Sequence, residues 1–108
     1  MVYDNCMKFE IAKKLKKAFK SEDNLKATYG KELSKNILKR ISVLEFADSL
    51  AMVPDVPPTR RHKLTGKFKG CWAIDISKNY RLIIKPMVDT DDLNEIKEIE
   101  IIDILDYH

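Results

Sequence analysis

Long apolar runs are missing from this chain of 108 residues. No stretch of about 18 apolar residues occurs, so no transmembrane helix is expected. The opening Met1-Val2-Tyr3-Asp4-Asn5 lacks a basic segment followed by an apolar one. No signal peptide is expected, and the cytoplasm is the default compartment. Cysteine is scarce. Cys6 and Cys71 stand far apart, with neither a CxxC pair nor a metal-type spacing, and they read as reduced thiols. A Gly-rich phosphate loop, a GxSxG elbow and a His/Cys metal cluster are all absent. Nothing therefore points to nucleotide-loop, α/β-hydrolase or zinc chemistry. There is no low-complexity segment and no internal repeat.

What is present is an ordinary apolar fraction, 44%, and a length suited to a single domain, 1–108, with one modest core. The net charge of +3 hides an asymmetry. Residues 1–40 carry eleven Lys/Arg and five Asp/Glu, and residues 41–59 carry three acids and no base. Residues 60–85 carry eight bases and one acid, Asp75, whereas residues 86–108 carry eight acids and one base, Lys97. The basic blocks suit phosphates or simply make solvated faces.

Apolar and polar residues alternate over Cys6–Ile11, which predicts a short half-buried strand. Ala12, Leu15, Ala18 and Phe19 then recur at helical spacing. Ser21 suits an N-cap, with Glu22 and Asp23 in the first turn, and Gly30 suits the helix end. A second helix is predicted from about Lys31 to Asp48, with Leu33, Ile37, Leu38, Ile41 and Leu44 on its apolar face. The two helices make a hairpin. Ser49–Pro58, with Pro54, Pro57 and Pro58, reads as the main linker. The second half reads as sheet. Cys71–Ile76 alternates, with Trp72, Ile74 and Ile76 on one face and Cys71, Ala73 and Asp75 on the other. Ser77-Lys78-Asn79 is a hairpin turn, and Tyr80–Lys85 is a central strand that Pro86 stops. Asp89–Asn94 is an acidic loop, and Ile96–Leu105 is the last strand. Its phase slips at Ile101-Ile102, which implies burial on both faces or a bulge. The class is α+β: an N-terminal strand plus three C-terminal antiparallel strands, packed against an N-terminal helix hairpin.

Arg81 sits within an apolar strand. It is either paired with a carboxylate, one of the C-terminal acids for instance, or turned to a phosphate, which its planar donor fork suits. His108 is either a frayed end or a proton-transfer group, since imidazole titrates near neutral pH. His62 lies among Arg60, Arg61, Lys63, Lys67 and Lys69, which form either a solvated loop or a phosphate cradle. Phe68, Trp72 and Tyr80 are near enough to stack on bases, although Trp72 fits a core position. If these groups converge, the site suits RNA cleavage by the 2′-hydroxyl: one group takes its proton, cations stabilise the pentacovalent phosphate, and another group protonates the leaving 5′-oxygen.

Three segments resemble one family. Pro57-Pro58-Thr59-Arg60-Arg61-His62-Lys63-Leu64-Thr65-Gly66, continuing to Gly70-Cys71-Trp72-Ala73-Ile74, is similar to its PP…R-H-x-L-x-G-x-x-x-G-x-W/Y-x-I/V pattern. Lys78-Asn79-Tyr80-Arg81-Leu82-Ile83 is similar to its N-Y-R segment. Ile104-Leu105-Asp106-Tyr107-His108 is similar to its I-x-D-Y-H ending. The family is that of the HigB-like plasmid-maintenance killer proteins, within the RelE/ParE toxin superfamily. The resemblance implies a RelE-like fold and a type II toxin that enters the ribosomal A site and cuts mRNA without metal or cofactor. It implies a cognate helix-turn-helix antitoxin of the HigA type, through which alone operator DNA would be met, and no membrane partner. Carried over by position, Arg81 stabilises the transition state, His108 and Asp106 handle protons and their orientation, His62 sits beside the scissile phosphate, and Tyr107 shapes the site. Thr65 stands where several family nucleases carry a lysine, so Lys63 or Lys67 would have to supply that charge from a shifted position. The alternative is a ParE-like toxin that inhibits gyrase without catalysis. Relatives on that branch lack the Arg/His constellation, so Arg81 with a terminal Asp-Tyr-His favours the nuclease. A degenerate member kept as an interaction module is the third reading.

Overall fold

A computed structural model describes residues 6–107. The N-terminal segment considered above for a signal peptide, and His108, lie outside the described residues. Five strands form one sheet in the order β1-β5-β4-β3-β2. They are β1 (Lys8–Ile11), β2 (His62–Lys63), β3 (Trp72–Asp75), β4 (Tyr80–Pro86) and β5 (Glu98–Asp106). Two helices, α1 (Glu22–Tyr29) and α2 (Lys31–Phe46), lie between β1 and β2 in the chain. The α+β class holds, and the sheet adds two features. β1 pairs with β5 in parallel, Lys8 opposite Glu98 and Ile11 opposite Ile101. A long helical connection frees an edge strand from the antiparallel pairing that a tight turn imposes. The extra strand β2 pairs with β3. At two residues, set among Arg and Lys, it is too short to show alternation.

The local signals explain the helices. The Ser21 hydroxyl accepts the Asn24 amide at 3.0 Å, satisfying one of the donors a helix start leaves open. Gly30, at φ +86°, closes α1 through its amide on Lys26 O and opens α2. The left-handed region is cheap for glycine alone. Ile37 and Leu44 of α2 are fully buried, with Leu33, Leu38 and Ile41 packed beside them. The helical spacing at residues 12–19 becomes two 3-10 turns, Lys13–Leu15 and Ala18–Lys20, which bury Leu15 and Ala18. Residues 49–58 are no loose linker. Leu50 and Val53 are fully buried, and the Leu50 amide donates to Ile96 O at 2.9 Å.

The sheet is covered on both faces. On the helix side, Ile74, Ile76, Leu82, Ile84, Ile99 and Ile101 meet Leu25, Ile37 and Leu44. On the other side Cys71, Ala73 and Ile83 form a smaller cluster under Leu64, Phe68, Ile102 and Leu105. That division explains the unbroken apolar run of β4, whose Leu82, Ile83 and Ile84 are all fully buried. It also explains the phase slip in β5. Ile83 faces Asp103 while Ile84 faces Ile101, so Ile102 is the extra residue of a bulge.

Candidate functional site

Alternation sorts the candidate residues by sheet face. Asp75 lies opposite Arg81, and Arg81 opposite Leu105. Leu105 belongs to the smaller cluster, so Asp75 and Arg81 share the face away from the helices. His62 lies opposite Ala73 on that same face. Tyr80 and Asp106 lie opposite each other, one step out of phase with Arg81, on the helix face.

The segment before β2 brings a third charged residue onto the Arg81 face. The Arg61 amide donates to Pro54 O and the Arg60 amide to Val56 O, both at 2.8 Å, which closes a loop around the cis Pro57-Pro58 bond. Thr59 is buried there and its carbonyl accepts the Asp75 amide at 2.8 Å. Arg60 takes φ +47°, a left-handed conformation unusual outside glycine. Its guanidinium then meets the Asp75 carboxylate through two atoms, Nε to Oδ2 at 2.7 Å and Nη2 to Oδ1 at 3.1 Å. That hydrogen bond holds the Arg60 pKa above its ordinary value.

Arg81 meets the same carboxylate, Nε to Oδ1 at 2.9 Å. Its Nη1 donates to the carbonyls of Ser77, Lys78 and Tyr80, each at 3.2 Å, so the side chain wraps the β3–β4 turn. The Tyr107 ring lies over its guanidinium carbon, 5.3 Å from centroid, within cation–π range. Arg81 is thus both paired with a carboxylate and part of a cationic cluster. The partner is Asp75 rather than one of the C-terminal acids. Asp75 also receives, at its main-chain carbonyl, the Arg40 Nε of α2 at 2.6 Å.

His62 Nδ1 lies 2.8 Å from the Arg60 carbonyl. A carbonyl oxygen only accepts, so Nδ1 carries the proton. In the neutral ring Nε2 is then the acceptor nitrogen.

The expected basic surface divides. Arg60 joins Arg81 and His62. Arg61 turns inward instead and is withdrawn from any surface role, its side chain 10% exposed. Its Nη1 donates to the carbonyls of Leu50, Ala51 and Val53, and its guanidinium stacks on Trp72. Its Nε is buried with no hydrogen-bond partner among the described residues. Lys67 lies over the Phe68 ring. Lys63 and Lys69 line a groove of about 530 Å³ with Trp72, Lys85 and the acidic loop at Asp89 and Asp91. Asp106 shares the Tyr80 face. The structure therefore gathers Arg60, His62, Arg81 and Tyr107, and leaves Arg61, Lys63, Lys69 and Asp106 elsewhere.

Asp75 is the residue that sequence reasoning passed over. Its signal was present: it is the one acid between residues 60 and 85, on the outer face of its strand, just before the turn that leads to Arg81. No group of three or more His, Cys, Asp or Glu residues suited to a metal ion occurs among the described residues, and no helix there is long and apolar enough to cross a membrane.

No protein-family model matches the chain, and no curated protein matches it by sequence. Solved structures do match its fold. The YoeB/ParE toxin from Agrobacterium tumefaciens is 13% identical with a TM-score of 0.58, over 94% of this chain and all of that one. The toxin of the YoeB–YefM complex from Staphylococcus aureus is 18% identical with a TM-score of 0.54, over 94% of this chain and 97% of that one. The Staphylococcus aureus YoeB dimer gives the same values. Five strands, two helices and the bulged last strand are thus an α+β fold of the kind that these YoeB/ParE toxins adopt.

Proposed function

We propose that this chain is the toxin of a type II toxin–antitoxin pair, of the HigB type within the RelE/ParE superfamily, and that it cuts mRNA on the ribosome. One observation carries the reading: Arg60, Arg81, His62 and Tyr107 converge on one end of one sheet face. The similar solved structures support it, being toxins, one of them described in complex with YefM.

In this reading His62 Nε2 takes the proton of the RNA 2′-hydroxyl. The 2′-oxygen bonds to phosphorus, and the bond from phosphorus to the 5′-oxygen breaks. Arg60 and Arg81 offset the charge gathering on the phosphate oxygens. His108, with Asp106 near it in sequence, protonates the leaving 5′-oxygen. The products are a 2′,3′-cyclic phosphate and a 5′-hydroxyl end. Tyr107 holds the Arg81 plane and offers a ring to a neighbouring base. Lys67 carries backbone phosphate on the same side, with Lys63 and Lys69 along the groove. The partners are the ribosome, mRNA and a cognate helix-turn-helix antitoxin of the HigA type, in the cytoplasm.

Primer extension on mRNA in a translation extract tests this. The wild type produces ribosome-dependent cuts with 5′-hydroxyl ends. Arg81→Ala lowers the cutting by about a hundredfold or more, and deletion of His108 abolishes it. A second reading, gyrase inhibition, draws on the internal duties of Arg60, Arg61 and Arg81, all of which already bond within the fold. Intact mRNA together with arrested supercoiling would establish that reading and sink the first.

A further inference from the structure

Two guanidiniums repel each other unless a counterion sits between them. Here Arg60 Nη2 donates to Asp75 Oδ1 at 3.1 Å, and Arg81 Nε forms an ion pair with that same oxygen at 2.9 Å. The carboxylate is only 19% exposed, and Arg81 only 17%. Asp75 is held from behind as well: its amide donates to Thr59 O, and its carbonyl accepts from Arg40. Its position is therefore set by the main chain at Thr59 and by the Arg40 side chain of α2. Each guanidinium keeps further N–H groups beyond those given to Asp75. One negative charge between two positive ones leaves the group cationic.

We infer that Asp75 is a positioning residue that holds Arg60 and Arg81 as a pair, so that one RNA phosphodiester is gripped by both. This rests on the nuclease reading and adds Asp75 to its machinery. It also explains the left-handed backbone of Arg60, which is what turns that side chain onto Asp75. The Asp75 carboxylate touches no substrate. It acts by fixing the angle and spacing of two groups that do, and misplacement of such groups lowers the catalytic step more than binding.

The test uses the full chain in two measurements: side-chain arginine resonances, and kinetics on ribosome-bound mRNA. In the wild type the Nε protons of Arg60 and Arg81 exchange slowly with water. A single-stranded RNA with a 2′-deoxy cut site shifts both signals together. Asp75→Asn, which keeps the shape and removes the charge, abolishes slow exchange at both. It lowers kcat at least about tenfold while KM stays within about threefold. Asp75→Glu restores slow exchange and part of kcat, and it carries the test if the asparagine variant does not fold. The inference is overturned if Asp75→Asn leaves exchange or kcat at the wild-type level. It is also overturned if kcat falls only in step with the melting temperature and a rising KM, or if RNA moves neither arginine in a wild type that cuts mRNA. A wild type that cuts nothing while RNA still moves both arginine signals overturns the nuclease reading and leaves the paired grip standing. If nothing is cut and nothing moves, both fall.

Discussion

Arg61 and Arg60 are neighbours in sequence and face opposite sides of the sheet. Arg60 turns to Asp75 and stays 41% exposed, whereas Arg61 passes under the chain and stacks on Trp72. A hydrogen bond from a charged donor contributes roughly 1.5–3 kcal/mol, and the Ala51 and Val53 carbonyls would lose the donor that Arg61 gives them. Arg61→Ala is therefore expected to destabilise the protein by about 3 kcal/mol and to lower Tm by on the order of 10 °C. Thermal melting checks this. If Arg61 instead met RNA at the surface, the substitution would leave Tm in place and weaken only RNA binding.

Elements are joined here by a few residues with special backbone. Gly30 ends one helix and starts the next at φ +86°. A Cβ at that position meets no atom within 4 Å, so the cost of Gly30→Ala is backbone strain alone, about 1–3 kcal/mol. Denaturant unfolding should show a lower midpoint with an unchanged slope; an unchanged midpoint would mean that the joint relaxes without cost. The bulge at Ile102 works at the same level and decides more about the site. Without the extra residue, every side chain after Ile101 would change face. Tyr107 would leave Arg81, and Asp106 would leave Tyr80.

At the scale of the whole molecule, one buried and one half-buried acid make folding sensitive to high pH. Burial pushes the Cys71 thiol above its ordinary 9.0, although Lys85 pulls the other way. Burial and the nearby Asp103 carboxylate push the Tyr29 hydroxyl above its ordinary 10.0. A group with a raised folded pKa gives stability that is fully present below its unfolded pKa. That stability is lost as pH rises through the folded value. Tm is thus expected to hold up to about pH 9 and to fall above it. Cys71→Ala should remove the first part of that fall, beginning near the ordinary thiol pKa, and leave the part due to Tyr29. A melting series over pH 7–11 reads both, and an identical alkaline limb in the variant would refute the assignment to Cys71.

Most of the elements follow from sequence, the two-residue β2 and the 3-10 turns at Lys13–Leu15 and Ala18–Lys20 excepted. Ser21, Gly30, the apolar stripe of α2, the alternation of β3 and the phase slip at Ile101-Ile102 are local signals, because capping, helical period and pleat act over a few residues. So were most of the candidate residues, since Arg81 stands out in any apolar strand. What tertiary structure decided was which of them meet. Arg60 and Arg61 are equal in sequence and unequal in the fold, because the turn at Pro54–Arg61 sends one outward and the other in. Asp106 and Tyr107 are adjacent and land on opposite faces. Asp75 carries no motif and becomes the centre of the site because the register of β3 and β4 sets it opposite Arg81. Register and long-range packing depend on residues far apart in the chain, so no window of sequence contains them.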